Sequence, residues 1–186
     1  GNVNIELNKL HIQANIPQFN YGNISFNNLI LDGSGNKDTM KLKGEIDDVV
    51  INDSLHSPDT KLSIVAANDI SDINIFTTGN KTVSNADFSA RLLTKNDGCK
   101  LTLNPSTFTI NQKQWHISKD GTLELSNKLL MADNIRFDQN GQQVYISTQP
   151  SSISNSNDII IAVQNLVVED VTPVFLKTPK LKGLLD

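Results

Sequence analysis

Apolar and polar residues alternate along most of this chain. Val3, Ile5 and Leu7 take every second position in "VNIELN"; Ile24 and Phe26, then Leu29 and Leu31, do so in "NISFNNLIL". The pattern continues at Met40 and Leu42, Leu101 and Leu103, Phe108 and Ile110, and Trp115 and Ile117. It resumes at Leu123 and Leu125, Ile135 and Phe137, and Val144 and Ile146. Successive strand side chains point to opposite faces, so each pair marks an apolar face. The Asn, Thr, Ser, Lys and Gln between them mark a wet one. Turn-forming clusters part the runs: "GSGNKD", "NDSLHSPDT", "TTGNK", "KNDG", "NQKQ", "SKDG", "DQNG" and "STQPSSISNSND". Asn, Asp and Gly tolerate the positive φ that hairpin turns need. The spacing predicts about 15 or more strands, and residues 1–186 read as one all-β segment. Helical periodicity is confined to "DVTPVFLK", where Thr172 is placed to cap and Pro173 to begin a short helix.

A loose repeat runs through the strands: "NNLILDG" from 27, "DDVVIND" from 47, "DNIRFDQ" from 133 and "QNLVVED" from 164. Its irregular spacing differs from the fixed period of a solenoid, and short amphipathic strands alone also produce such a motif. In "FTINQKQWHISKDGTLELSN", residues 108–127, the chain's only tryptophan adjoins His116. Neighbours in a strand face opposite ways, so Trp115 belongs to the apolar face and His116 to the wet one. They do not form one site. The stretch reads as three successive strands joined by two tight turns.

Composition narrows the function classes. A hydrophobic fraction of 38% and a net charge of -4 describe a folded chain rather than a disordered one. With 16 Lys and Arg against 20 Asp and Glu there is no broad positive field, which argues against a nucleic-acid partner. Cys99 is the only cysteine, so no intrachain disulfide forms. No run of about 18 apolar residues is present to span a membrane as a helix. Gly1 in place of a starting Met, and a strand-like pattern still running at "LKGLLD", are expected of a piece of a longer protein.

Chemistry-bearing motifs are absent. His11, His56 and His116 lie far apart in sequence. Asp32, Ser34, Asn36 and Asp38 faintly echo a calcium loop, but Lys37 and Lys43 stand where Gly and Glu are required. A hairpin loop is the better reading. There is no Gly-x-Ser-x-Gly elbow, and Cys99 has only Lys100 beside it. Neither an enzyme nor a cofactor or metal site is expected. Aromatics at 5% argue against a stacking platform for sugars or bases.

The stretch "STFTINQKQWHISKDGTLELSNKLLMADNIRFDQNGQQVYIS" is similar to the C-terminal region of the TamB family of AsmA-like proteins, in its Bacteroidetes-type members. There "FTIN", a Trp strand and a strand ending in "NIRF-x-x-x-G-Q-x-V/I-x-I" follow one another. The segment "IIIAVQNLVVEDVTPVF" with "LKGLLD" resembles that family's next element. The resemblance covers about half the chain and implies an elongated, curled, mostly antiparallel sheet, a β-taco trough with an apolar inner face. It implies a periplasmic segment of a protein anchored in the inner membrane. It further implies phospholipid acyl chains as cargo between the membranes and an outer-membrane barrel assembly partner of the TamA or BamA type. On that reading Phe108, Ile110, Trp115, Ile117, Leu123, Leu125, Ile135, Phe137, Val144 and Ile146 line the groove. Replacing Ile117 with Arg should then block acyl binding and leave the fold intact, whereas loss of folding would indicate a packed core. The same alternation also suits a closed β-sandwich. An all-β adhesin or carbohydrate-binding module, or a structural spacer, is the alternative function.

Overall fold

In the computed structural model, residues 2–6, 8–52, 55–79, 83–127, 129–153, 155–175 and 183–185 are described. The first half of the chain is a meander of long strands, each antiparallel to the one before. They are β1 (Asn2–Glu6), β2 (Lys9–Tyr21), β3 (Ile24–Gly35), β4 (Thr39–Asn52), β5 (Leu55–Ala67), β6 (Ile70–Gly79) and β7 (Val83–Lys95). Alternation holds their register: Ile12, Gly33, Leu42, Ile64, Ile73 and Ala90 lie side by side on one face. The opposite face sets unlike charges across from each other, as in Asp32 and Lys43, Glu45 and Lys61, and Asp72 and Arg91. A slip of one residue would bring charge onto the apolar face, so the register is strongly specified.

These long strands are not uniformly extended. At one level across the sheet the pairing skips Pro17 against Asn28, Asn28 against Asp47, Asp47 against Asp59, and Thr78 against Asn85. Asn28, Asp59 and Asn85 have φ of 56, 48 and 54° there, the left-handed region that Asn and Asp tolerate. Asn28 Nδ2 donates to Asp47 Oδ2 at 2.7 Å, and Thr78 Oγ1 to Asp59 Oδ2 at 3.3 Å. Each strand carries one extra residue at this level. The apolar positions accordingly step by three instead of two, from Ile16 to Phe19, Phe26 to Leu29, Ile46 to Val49 and Val83 to Ala86. Inserted left-handed residues bend a strand. A row of them creases the sheet.

After β7 the rows break in two. β8 (Gly98–Leu103) and β9 (Ser106–Ile110) pair with the two ends of β7 and together make one row, interrupted at Asn104 and Pro105. β10 (Lys113–Ile117) pairs with β9 and β11 (Thr122–Ser126) with β8. β12 (Leu129–Asp133) then pairs with β11 and β13 (Ile135–Gln139) with β10. β14 (Gln142–Pro150) and β15 (Asn157–Gln164) complete a 15-stranded antiparallel sheet, which begins at β1 and ends at β15 without closing on itself. Side chains satisfy the backbone at the break: Ser106 Oγ accepts from Ser89 N at 2.9 Å, and Thr148 Oγ1 from Ala132 N at 3.0 Å.

This second crease corrects one expectation. "NQKQ" and "DQNG" are hairpin turns, with positive φ at Asn111, Gln112, Asn140 and Gly141. "SKDG" is not. β10 and β11 are not partners, and the chain crosses the crease there, Asp120 N donating to Leu103 O at 3.1 Å. Folding at this crease brings Ala90, Leu103, Ile117, Ala132 and Ile135 into a buried core, with Phe88, Leu101 and Leu123 packed on it.

The helix also differs from its sequence signal. α1 spans Val168–Phe175, so it starts before Thr172, which is buried inside it rather than capping it. Glu169 and Asp170 supply negative charge to the first turn. The first amides find tertiary acceptors: Val167 N donates to Gln142 Oε1 at 2.8 Å and Val168 N to Gly183 O at 2.9 Å. Those contacts replace the missing cap. Before α1, β16 (Leu166–Val167) pairs with β17 (Leu184–Leu185) in a small separate sheet.

Candidate functional site: an apolar pocket under the C-terminal helix

The second crease divides this part of the sheet into two walls. One wall is β9, β10 and β13 and the other is β8, β11 and β12, while β14 and β15 run past both, meeting β12 at Thr148 and Asn157. Along the first wall and on into β14 and β15, Phe108 is opposite Trp115, and Ile117, Phe137, Val144 and Val163 follow one another in register, all on the apolar face. Phe108 stacks on Trp115 with ring centres 6.4 Å apart, and meets Phe137 edge-on at 6.0 Å. Such offset and edge-to-face contacts hold aromatic side chains in fixed positions. Leu166 and Val171 roof this wall. Between them lies a cavity of about 340 Å³, lined by Phe108, Ile110, Trp115, Phe137, Val144, Ile146, Ile161, Val163, Leu166 and Val171. Every lining residue is apolar.

A buried polar cluster pins the roof in place. Lys113 lies on the apolar face of β10, opposite Ile110, and its Nζ is 2.6 Å from Asp170 Oδ2 on α1. Gln142 Nε2 donates to the same carboxylate oxygen at 2.8 Å and to Gln139 Oε1 at 2.6 Å. Asp170, Gln139 and Gln142 are all buried. The cluster satisfies itself and turns no free charge on the cavity. Two polar atoms nearby have no hydrogen-bond partner among the described residues: Trp115 Nε1 and Thr172 Oγ1.

Trp115 is only 2% exposed, whereas His116 is exposed on the opposite face across from Asp138. The two adjacent side chains thus serve different faces, as the alternation requires. Six of the ten groove candidates border the cavity: Phe108, Ile110, Trp115, Phe137, Val144 and Ile146. The other four do not. Ile117 and Ile135 are buried in the core at the crease, Leu123 packs on that core, and Leu125 is 45% exposed on the far wall. Alternation identifies the face a side chain occupies, not its distance from the crease, so all ten read alike in the sequence.

The roof and rim were not legible as site residues. Ile161 and Val163 do alternate, but the triple Ile159-Ile160-Ile161 obscures which face each takes. Leu166 and Val171 belong to elements that fold back over the sheet, and Asp170 meets Lys113 across 57 positions of sequence. Among the described residues, no group of three or more His, Cys, Asp or Glu is placed to hold a metal ion. Asn36 of the calcium-like stretch accepts from Asp38 N and Thr39 N at 2.8 and 2.9 Å, as a turn residue does.

No protein-family model, curated protein or solved structure matches this chain.

Proposed function

We propose that this chain is a non-enzymatic, periplasmic segment of a TamB-like envelope protein whose trough holds phospholipid acyl chains. The observation that carries the reading is the cavity of about 340 Å³ with ten apolar lining residues. It exceeds by more than twofold the roughly 150 Å³ of an apolar cavity that stays dry and accepts a benzene ring. A peptide or glycan would bring amides or hydroxyls that find no partner on such walls, at a cost of about 1–3 kcal/mol each. An alkyl chain brings none, and gains about 0.8 kcal/mol for each methylene removed from water. The 15-stranded sheet supplies an apolar face of the continuity such a cargo needs. Delivery to an outer-membrane barrel partner of the TamA or BamA type belongs to the same proposal, through the parent protein.

Organic extraction of the purified protein followed by mass spectrometry tests the reading. Co-purified phospholipids or fatty acids are expected, and Val144→Arg should deplete them. A protein free of lipid that also fails to take up added fatty acid would overturn it.

A further inference from the structure

Four large apolar side chains lie exposed on the apolar face beside the cavity. Leu125 and Leu130 are directly opposite each other on β11 and β12, each 45% exposed. Ile159 and Ile161 share the apolar face of β15, each 63% exposed. A hydrogen bond joins the two pairs: Asn157 Nδ2, at the start of β15, donates to Leu130 O at 2.9 Å. Thr148, the partner of Ile159 in the β14–β15 ladder, bonds both backbone atoms of Ala132, two residues beyond Leu130. Ile161 is at once the end of this strip and part of the cavity wall. The two apolar pairs therefore flank a seam whose polar groups, Asn157 and Thr148, are hydrogen-bonded, and Ile161 continues the strip into the space beneath α1. No charged side chain lies on that face between Leu125 and Ile161 in the β11, β12, β14 and β15 registers.

We propose that Leu125, Leu130, Ile159 and Ile161 form an entry lip, over which a single alkyl chain passes sideways into the cavity. The inference rests on the acyl-chain reading and adds the route. Entry from the opposite rim is blocked by α1, held down through Asp170 by Lys113 and Gln142. The crease end is closed by the packed core of Leu103, Ile117, Ala132 and Ile135. The occupant is one chain: the lip and lining are apolar, and a peptide strand crossing them would strand its amides. Large exposed apolar patches on folded proteins mark such contact sites.

Trp115, the only tryptophan, lines the cavity and reports on it directly. Stearic acid brominated at mid-chain should quench its emission once the chain is seated. In a protein carrying Leu130→Asn and Ile159→Asn together, the onset of quenching should slow about tenfold. That is the change expected when about two methylenes lose apolar contact in transit. The single Ile159→Asn variant should fall between, and Val65→Asn, on the wet face, should load at the wild-type rate. Both lip positions are exposed, and circular dichroism verifies the fold of each variant. Unchanged loading in the double variant overturns the lip, as does equal slowing in Val65→Asn. Sedimentation showing a dimer lost in the double variant with loading unchanged would make the strip a contact between copies. No quenching in the wild-type protein would overturn the acyl-chain reading itself.

Discussion

Ile117 and Val144 lie on the same apolar face, yet only Val144 borders empty space. Ile117 is enclosed by Ala90, Leu103, Ala132 and Ile135. An arginine there would leave a charge without a partner in a packed core, a defect worth about 3–5 kcal/mol or more. Ile117→Arg should abolish the β-type circular dichroism under conditions where the wild-type protein is folded, so it cannot serve as a clean probe of binding. Val144→Arg can extend its guanidinium into the cavity, and should keep the fold while excluding acyl chains. On the wet face, the Arg91 guanidinium donates to both carboxylate oxygens of Asp72, at 2.7 and 3.2 Å, and holds that carboxyl below the ordinary range. A carboxyl with a lowered folded pKa adds stability above its unfolded pKa and loses it as the pH falls through the folded one. Both side chains are well exposed, so solvent screens the pair and the effect on folding is small. Arg91→Gln should raise the Asp72 titration midpoint in carbon-detected NMR and barely move the thermal midpoint at neutral pH. Recovery of an unshifted Asp72 in the wild-type protein would count against the pair.

Creases, not strands, are what alternation failed to predict. Strand identity and the apolar face follow from period two, and Trp115 and His116 separate as that rule demands. The loose repeat was visible too, but its meaning lay in backbone torsion rather than in side-chain pattern. Asn28, Asn134 and Asn165, each the residue just before the apolar pair of its copy, have φ of 56, 51 and 51°, and Asp48 in the copy from residue 47 does not share this. "SKDG" carries an ordinary hairpin signal, but its flanking strands lie on opposite sides of the crease, a fact decided by partners 20 or more positions away. Asn28 offers the sharpest test. A β-branched residue strained at positive φ costs about 1–3 kcal/mol, whereas Gly adopts it freely. Asn28→Val should lower the urea midpoint by a corresponding amount, beyond the lost bond to Asp47, while Asn28→Gly should lower it much less. Equal losses would mean that the hydrogen bond, not the torsion, sets the bend. For α1, Asp170→Ala leaves Lys113 and Gln142 without their acceptor. Lys113 is partly exposed and can recover water, so the loss should be about 1–3 kcal/mol. Hydrogen exchange should show it confined to α1 amides, with the sheet protected as before.

At the scale of the molecule, one unclosed sheet carries an apolar face that is packed in one place and borders a cavity in another. At the second crease apolar side chains pack into a small core; toward α1 the same face borders the cavity beneath Leu166 and Val171. A single alternating pattern serves both, because burial depends on what covers the apolar face. An unclosed sheet also leaves edges. β15 runs for eight residues in unbroken register with β14, with no Pro, Lys or bulge on it, and Asp158 is its only charge. Natural edge strands usually carry one of those devices to deter pairing with another chain. Here Ile160, 37% exposed, adds apolar surface on the wet face as well. Purified protein should therefore associate with rising concentration through its β15 edge, seen as a growing sedimentation coefficient. Ile160→Lys places a charge on that edge but away from the apolar face, and should restore a monomer without altering the rate at which brominated stearate quenches Trp115. Association that persists in this variant would assign the contact elsewhere. Slowed quenching would instead show that edge and lip act as one surface.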